Sequence, residues 1–408
     1  MWIILRILIA VVLLFLLQLY FYKKASSAVK TLWPEIPIIK TKTILYFFLF
    51  LLNLYPLLLI INSVYAVITG QSILFPQNTI MDYLVIFPFW IILLIIVQTI
   101  IVFLLFDLLK IILYPVYKKY RIRIISFQAK LFFVVIIFFI IYVPVRVIYD
   151  FHSIDIREVE FVKENLPDDL KGFRITLIAD LQADRYTNER RLSNYIDAVN
   201  STNSDLVLIA GDVITSSPNY IETAAKFIGN IKSKYGVYSC VGDHDNWAYR
   251  RDTRRSIREI GEALRKYDVE MVDNDVRNLE INSASIGITF ITNTYVETIS
   301  RELLSEVSNK NYNDFKILLT HQPQKFLINS AMKNGYDLFL AGHTHGGQIT
   351  FLLPFIKLSP TLIETKYVKG DFYFNDMLAI VNGGLGMSIS PVRYNSTPEV
   401  VSITLKAK

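Results

Sequence analysis

Four long apolar runs occupy the first 150 residues of this 408-residue chain. They cover residues 2–22, 44–67, 83–106 and 131–148. Each run approaches or exceeds the roughly 20 residues that a helix needs to cross a bilayer. Pro144 and Arg146 lie near the end of the fourth run, where a proline leaves most of the helix intact and an arginine side chain can reach the interface. The pattern predicts a transmembrane region of about four helices over residues 1–150.

From residue 151 onward, short apolar runs alternate with polar stretches of helical spacing. Five runs predict buried strands that end at polar residues: 174–179, 206–210, 235–241, 315–319 and 337–341. Two stretches, 188–200 and 220–233, predict helices, and residues 381–405 add strand-like runs with glycine turns. Such alternation indicates an α/β fold, in which sites form at the carboxyl ends of the strands. We expect one large domain over residues 151–408.

The basic residues between the apolar runs predict the topology. Lysines and arginines are concentrated in residues 23–43 and 107–130, whereas residues 70–82 contain none. The positive-inside rule therefore places the two basic loops in the cytoplasm, and the other loop, both termini and the C-terminal domain outside. We expect a multi-pass protein of the cell (inner) membrane. A cleavable signal peptide ending near 25–28 is the alternative, and it fits less well because the lysines follow the first apolar run.

Composition and charge agree with this division of the chain. The hydrophobic fraction of 53% is high for a soluble enzyme, and the excess lies before residue 150. Much of the net charge of +6 lies in the basic loops, where it sets topology and contacts lipid head groups. We therefore expect the lipid bilayer as a partner and no nucleic acid. The single cysteine, Cys240, cannot form an intrachain disulfide.

Four of the five histidines cluster with aspartate and glycine at the predicted strand ends. The motifs are Asp180-Leu-Gln182, Gly211-Asp212, Gly242-Asp243-His244-Asp245, Thr320-His321 and Gly342-His343-Thr-His345. Imidazole nitrogens and carboxylate oxygens are the ordinary ligands of divalent metals in proteins. A lone histidine such as His321 is usually structural, but its place in five ordered blocks indicates a metal ligand.

These blocks, in this order, resemble the calcineurin-like metallophosphoesterase superfamily. Its pattern is Asp-x-His, Gly-Asp, Gly-Asn-His followed by Asp or Glu, a lone His, and Gly-His-x-His. Residues 346–348 and 382–395 further resemble its membrane-anchored bacterial branch. The resemblance extends from about residue 155 to the end of the chain. It implies an α/β fold with an αββα sandwich after the transmembrane region, and the activity of a metal-dependent phosphoric ester hydrolase.

The resemblance also implies a role for each motif residue. Two divalent metal ions would activate water for attack on phosphorus. The implied ligands are Asp180, Gln182 and His345 for the first ion, Asp243, His321 and His343 for the second, and Asp212 as the bridge between them. His244 would contact the phosphate and protonate the leaving oxygen, with Asp245 as its orienting partner.

Two of these positions depart from the family pattern. Gln182 replaces a histidine, and an amide oxygen is a poor ligand for the softer transition metals. Asp243 replaces an asparagine and adds a negative charge, which favours a harder cation. We therefore expect two ions, Mn²⁺ or Mg²⁺ rather than zinc or iron, with the first bound less tightly.

Two further segments bear on the substrate. Arg250 and Arg251 begin a string of arginines that is interpreted either as a solvated helix face or as a patch that binds phosphate or anionic lipid. The apolar stretch 349–358 is interpreted either as a core strand and loop or as a surface that rests on the bilayer and admits a lipid-linked phosphoester. The motifs do not distinguish a phosphomonoester from a phosphodiester.

Two alternative functions stay open. The ligand changes at Gln182 and Asp243 suit a non-catalytic metal- or phosphate-binding sensory module with an eroded site, although His244 and the Gly-His-Thr-His block are present. A cytoplasmic-facing hydrolase of a nucleotide-lipid pyrophosphate would use the same chemistry with the opposite topology.

Overall fold

The computed structural model describes residues 2–69, 78–353 and 356–408. The chain divides into two compact units, Met1–Ile148 and Tyr149–Lys408, whose contacts are mostly internal. In the described residues the first unit is helical, and the strands all belong to the second.

The first unit is built from helices that are longer than the predicted apolar runs. They are α1 (Trp2–Leu32), α2 (Ile38–Thr69), α3 (Thr79–Met81), α4 (Phe87–Ile112), α5 (Tyr114–Lys119) and α6 (Arg121–His152), with a π-helical turn between α3 and α4. Four stretches are long and apolar enough to cross a bilayer: Ile9–Leu32, Ile39–Asn62, Thr79–Ile112 and Arg121–His152. The four predicted spans thus lie in helices, and α6 runs on through Pro144. Residues 70–77, most of the loop predicted to lie outside, fall outside the described residues.

Polar side chains pair between these apolar helices. Gln18 of α1 and Asn53 of α2 exchange amide hydrogen bonds of 3.1 and 2.9 Å. Lys24 of α1 lies 2.6 Å from the Asp107 carboxylate of α4. An unpaired polar group in hydrocarbon costs several kcal/mol, so these pairs stabilise the contacts of α1 with α2 and α4.

The second unit contains two six-stranded sheets and a separate hairpin. Its strands are β1 (Asp155–Lys163), β2 (Arg174–Ile178), β3 (Leu206–Ile209), β4 (Val237–Cys240), β5 (Val269–Val272), β6 (Asp275–Ile281), β7 (Ala284–Ile291), β8 (Phe315–Thr320), β9 (Leu338–Ala341), β10 (Phe351–Leu353), β11 (Ile356–Leu358), β12 (Gly370–Phe374), β13 (Met377–Val381) and β14 (Glu399–Ala407). Its helices are α7 (Glu189–Ser201), α8 (Ile221–Ile228), α9 (Thr253–Arg265), α10 (Arg301–Ser308) and α11 (Lys325–Lys333). The strand orders are β1-β14-β2-β3-β4-β5 and β12-β13-β9-β8-β7-β6, with β10 and β11 as the hairpin.

Alternation along the strands builds three apolar layers. In β3, Leu206 and Leu208 face a core shared with the second sheet, while Val207 and Ile209 pack in the layer that contains α7, α8 and α9. A third cluster joins the other face of the second sheet to α10 and α11. This αββα arrangement confirms the predicted fold class. The main difference is α8, which ends at Ile228 and not at 233, with Gly229 as its C-cap.

A buried ion pair fixes the start of β14. Glu399 accepts hydrogen bonds from Arg157 of β1 and from the Gly383 amide, and Lys369 lies 2.8 Å away. Burial alone would raise the pKa of Glu399, but the charges of Lys369 and Arg157 lower it below its usual range. This carboxylate is therefore more stable in the folded protein than in the unfolded chain.

Candidate metal centre

The predicted site residues lie at the carboxyl ends of central strands, as the sequence pattern indicates. Asp180 follows β2, Asp212 follows β3 and Asp243 follows β4 in the first sheet, while His321 follows β8 and His343 follows β9 in the second. Within each sheet these strands run parallel. Their carboxyl ends therefore present side chains from both sheets to one place.

The backbone at this edge adopts an uncommon conformation. Asp180, Gln182, Asp212, His343 and His345 all have positive φ, between 50° and 71°. Each such residue costs of order 1 kcal/mol and persists only where its surroundings enforce it. Clustering of such residues at one edge of a fold is typical of a functional site.

Close backbone packing brings the loops together. A Cβ on Gly242 would lie 2.2 Å from a carboxylate oxygen of Asp212, and one on Gly384 would lie 2.8 Å from Asp180 Oδ2. Gly384 also has φ +66°, which glycine adopts without strain. These positions require glycine because a side chain would fill the space beside the aspartates.

One group of side chains consists of Asp243, His321 and His343, whose ligand atoms all lie within 4.8 Å of one another. His343 Nδ1 is 2.9 Å and His321 Nε2 is 3.3 Å from Asp243 Oδ2. On their outer sides, His321 Nδ1 contacts the Ala210 carbonyl at 2.7 Å and His343 Nε2 contacts Glu364 at 3.0 Å. Since these outer partners only accept hydrogen bonds, they hold a proton on the outer nitrogens, as the carbonyl and carboxylate partners of metal-binding histidines do.

A second group consists of Asp180, Asp212 and His321, whose ligand atoms also lie within 4.8 Å of one another. His321 belongs to both groups, with Nε2 3.4 Å from Asp212 Oδ2. Gln182 donates a 2.7 Å hydrogen bond to the same Asp212 oxygen, and His345 Nε2 lies 3.6 Å from Asp180 Oδ1. The structure therefore brings the seven predicted ligands together.

Two acceptor atoms, one on Asp180 and one on Gln182, test whether these residues fit a metal. Asp180 Oδ1 and Gln182 Oε1 are buried and accept no hydrogen bond from any described residue. A buried acceptor without a partner costs about 1–3 kcal/mol. Burial raises the pKa of Asp180 to about 7. A cation beside either oxygen would satisfy it, and the clustered aspartates and histidines can hold a dinuclear metal centre.

Opposite charges balance each other in the group formed by Asp243, His321 and His343. Burial would raise the pKa of Asp243, but hydrogen bonds to His321 and His343 lower it far below its usual range. Burial would lower the pKa of His343, but its bonds to Asp243 and Glu364 raise it to about 9. A metal ion held by Asp243, His321 and His343 would replace protons on the two histidines.

His345 lies outside that group and shows the opposite shift, because burial and the charge of Arg393 lower its pKa.

Asp243 stands where the family pattern has asparagine, and its neighbours donate hydrogen bonds that suit a carboxylate. Tyr295 N–H donates to Asp243 Oδ1 at 2.6 Å, and Gln322 Nε2 donates to both oxygens at 3.0 and 2.9 Å. Asn293 Nδ2 in turn donates to Gln322 Oε1 at 3.1 Å, which fixes the orientation of that amide. Sequence reasoning missed Gln322, although it directly follows His321.

His244 lies beside the second group but outside it. Its backbone N–H donates to Asp212 Oδ1 at 2.7 Å. Its Nδ1 contacts the Thr215 carbonyl at 2.5 Å, and its Nε2 lies 3.1 Å from Ser388 Oγ. Because a carbonyl only accepts, Nδ1 carries a proton and Nε2 is the nitrogen left for proton transfer.

The predicted contact between Asp245 and His244 is wrong. Both oxygens of Asp245 accept backbone N–H groups, those of Gly242, Asp212 and Val213, at 2.8–3.0 Å. Burial and repulsion from Asp212 raise the pKa of Asp245 to about 6. Asp245 thus orders the loops that carry the predicted ligands, while Thr215 and Ser388 hold His244.

The structure does not bring the predicted substrate-binding arginines into the cluster. Arg250 and Arg251 are exposed in the turn before α9. Further along the same string, Arg255 pairs with Glu259 at 2.7 Å and stacks on Tyr249. That arginine fits the solvated helix face, and a role for Arg250 and Arg251 in substrate binding stays a prediction.

Within the stretch 349–358, the strands β10 and β11 pair antiparallel, and Leu352, Ile356 and Leu358 are exposed. Residues 354 and 355 lie outside the described residues. The core-strand interpretation is therefore wrong for the described part, because this hairpin is hydrogen-bonded to neither six-stranded sheet.

Similarity to known proteins agrees with this geometry. Residues 173–347 match the calcineurin-like phosphoesterase family. An uncharacterized metallophosphoesterase of Campylobacter jejuni is 26% identical over 281 residues, which cover 68% of this chain and 70% of that protein. One from Bacillus subtilis is 28% identical over 63% of this chain and 87% of its own length. A transmembrane protein with a metallophosphoesterase domain from Danio rerio is 25% identical over 61% of this chain and 56% of its own length. Residues 173–347 therefore match a calcineurin-like phosphoesterase domain, and the described part of the chain combines it with four helices that are long and apolar enough to cross a membrane.

Proposed function

We propose that the protein is a membrane-anchored, metal-dependent enzyme that hydrolyses a phosphomonoester or phosphodiester. The observation that carries the proposal is the pair of unsatisfied buried acceptors, Asp180 Oδ1 and Gln182 Oε1, beside two clusters that share His321. A buried acceptor of this kind requires a partner, and at this place an ion would supply one.

Two divalent ions would be held by the seven clustered side chains. Asp180, Gln182, Asp212 and His345 would hold the first, and Asp212, Asp243, His321 and His343 the second. When bound, such a pair neutralises charge on the phosphoryl oxygens and lowers the pKa of the attacking water. The amide and the additional carboxylate favour Mn²⁺ or Mg²⁺ over zinc or iron.

His244 would act on the leaving group. With Nδ1–H held by the Thr215 carbonyl, a proton on Nε2 makes the ring a cation that can contact the phosphate and then protonate the leaving oxygen. Ser388 Oγ, 3.1 Å from Nε2, would hold the orientation of the His244 ring while the substrate is absent. Arg250 and Arg251 would contribute positive charge for an anionic substrate.

The catalytic domain would lie outside the cytoplasm, with the protein in the inner membrane. Support comes from the basic residues of 23–43 and 107–130, which favour a cytoplasmic location for those loops. A periplasmic-type reporter fused after Lys408 should be active. Activity of a cytoplasmic reporter at that position would instead favour the nucleotide-lipid pyrophosphate hydrolase with reversed topology.

The test of the activity uses the full-length protein in detergent, stripped of metal and resupplied with Mn²⁺, Mg²⁺, Zn²⁺ or Fe²⁺. We expect hydrolysis of bis-p-nitrophenyl phosphate or p-nitrophenyl phosphate, strongest with Mn²⁺ or Mg²⁺. His244→Ala should lower turnover about 10²- to 10⁴-fold and keep the metal. His152→Ala, which changes the histidine outside the motifs, is the matched control. Native protein that binds metal and hydrolyses neither compound would favour the non-catalytic module.

A further inference from the structure

We propose that exposed apolar residues beside the metal centre form a subsite for the acyl chain of a phosphoester lipid in the bilayer. The apolar rim, as we name it, consists of Tyr295, Val296, Leu362, Ile363 and Ile389. This inference rests on the proposed function and specifies its substrate class: an amphiphilic phosphoester whose phosphate reaches the metal centre while its chain lies on the rim.

One side of the rim is joined to His343. Tyr295 Oη donates to Glu364 Oε1 at 2.7 Å and lies 3.3 Å from His343 Nε2. Glu364 itself is 3.0 Å from the same nitrogen. Ile363, next to Glu364 in the chain, is 94% exposed. The rim therefore includes an exposed apolar side chain that is adjacent in the chain to a residue in contact with a predicted metal ligand.

The other side of the rim is joined to His244. Ile389 is 95% exposed and follows Ser388, whose hydroxyl lies 3.1 Å from His244 Nε2. Ile389 also has φ +64°, which is a genuine outlier for a β-branched residue. The fold thus keeps a strained backbone that holds an isoleucine out in solvent beside the predicted general acid. Strain of this kind persists where function uses it.

The Ser388–Ile389 loop is held in place by Gln348, the last residue of the Gly-His-Thr-His-Gly-Gly-Gln block. Gln348 Oε1 accepts Ser388 N–H at 2.9 Å, and its Nε2 donates to the carbonyls of Ser390 and Val392 at 2.8 and 3.1 Å. The hairpin strand β10 begins three residues after Gln348. The rim residue Ile389 is therefore fixed relative to the metal-binding block before any ligand arrives, which lowers the cost of binding.

The distribution of exposed apolar residues identifies the occupant. Of the fourteen large hydrophobic side chains exposed in the described part of Tyr149–Lys408, eight belong to the rim or to the adjoining β10–β11 hairpin. The described part of the chain also has four candidate membrane spans, and β1 begins three residues after α6 ends, so a lipid bilayer is the apolar phase to which this domain would be tethered. Exposed Lys357 and Lys366 on the same segment suit anionic head groups.

The experiment measures kcat/KM for methyl, hexyl and dodecyl p-nitrophenyl phosphate with the full-length protein in phosphatidylcholine nanodiscs. These diesters present the same scissile bond with a growing apolar chain. We expect kcat/KM to rise at least about tenfold from methyl to dodecyl, since each buried methylene adds to binding. The Ile363→Asn/Ile389→Asn variant should lose most of that rise and keep the methyl ester rate within about twofold. Asparagine tolerates the positive φ at position 389, so the variant should fold.

Tyr312→Ser is the matched control, because Tyr312 is 88% exposed and precedes β8, at the opposite end of the sheet from His321. It should behave as the native protein does. A native rate independent of chain length, or a rise that persists in the double variant, overturns the rim proposal while leaving the phosphoesterase intact. If the native protein hydrolyses none of these diesters, the phosphodiesterase form of the proposed function fails. Calorimetric binding of dodecyl against methyl phosphonate then tests the rim, and equal affinities would overturn it.

Discussion

Asp243→Asn restores the residue typical of the family and should nevertheless weaken metal binding. The carboxylate is surrounded by hydrogen-bond donors: Tyr295 N–H and Gln322 Nε2 at Oδ1, and Gln322 Nε2 and His343 Nδ1 at Oδ2. An asparagine NH₂ group would meet a donor in either orientation. Gln322 cannot rotate to relieve this without turning its own NH₂ toward Asn293.

The size of the effect follows from these contacts. Asp243 is fully buried, so the variant loses a charge-assisted hydrogen bond, worth about 1.5–3 kcal/mol, and leaves a donor unpaired, at a cost of about 1–3 kcal/mol. Allowing for partial relaxation, we expect a loss of about 2–4 kcal/mol in the affinity of the second ion. That corresponds to about 30- to 1,000-fold in Kd.

Calorimetric titration of the full-length protein with Mn²⁺ measures this loss. The Asp243→Asn/Gln322→Glu double variant supplies an acceptor for the new NH₂ group and should recover at least about tenfold, which a double-mutant cycle quantifies. Asp168→Asn makes the same change at an exposed position and is the control. The reasoning is refuted if Asp243→Asn binds both ions as tightly as the native protein, or if Gln322→Glu recovers nothing.

Three further predictions concern other parts of the domain. Gly242→Ala should remove at least one bound metal ion, measured by metal analysis, because its Cβ would lie 2.2 Å from Asp212 Oδ1. Gly261→Ala in α9 is the control: apart from the backbone of α9 itself, the nearest atom to its Cβ is Met271 Cβ at 4.0 Å, so it should keep both ions and gain about 0.5–1 kcal/mol in stability. Glu364→Ala should weaken Mn²⁺ binding about 10- to 100-fold by removing the acceptor for His343, and Glu364→Gln should weaken it less. Glu399→Gln should lower the Tm at pH 7, and the difference from the native protein should shrink as the solution is acidified below the ordinary pKa of a glutamate, because a carboxylate with a depressed pKa stabilises the folded protein only while it is ionised.

Each of these three predictions has an outcome that contradicts it. Gly242→Ala with its full complement of metal would mean that the loops tolerate a side chain. Equal Mn²⁺ affinities for native protein and Glu364→Ala would remove Glu364 as a partner of His343. A Tm difference for Glu399→Gln that does not shrink on acidification would show that the ion pair is not its cause.

The sequence predicted those parts of the site that depend on strand ends. Apolar runs precede Asp180, Asp212, Asp243, His321 and His343, and the structure places each of these residues within three positions of the end of the strand that the run forms. Hydrophobic runs are local signals, so their ends could be located without knowledge of the fold. The αββα layers followed from the same alternation together with the family resemblance.

The partners of these residues were not predictable in the same way. Glu364 lies 21 positions after His343, and Ser388 lies 144 positions after His244. Hydrogen bonds over such separations depend on loop paths that carry no periodic signal. The predicted contact between Asp245 and His244 was wrong for the opposite reason. Asp245 is adjacent to His244 in sequence, but its side chain accepts hydrogen bonds from the backbone of the neighbouring loop. Adjacency in the chain does not determine which groups a short turn brings into contact.

The most direct test of a dinuclear phosphoesterase is turnover measured against bound metal in one titration. Metal-stripped full-length protein is titrated with Mn²⁺ while bound metal and hydrolysis of bis-p-nitrophenyl phosphate are recorded together. We predict two ions per chain, with little turnover until the weaker site fills. We also predict loss of both signals in Asp212→Asn, which changes the shared bridging position. Turnover that survives excess chelator, or two bound ions without turnover on this or any other phosphoester tested, would contradict the account.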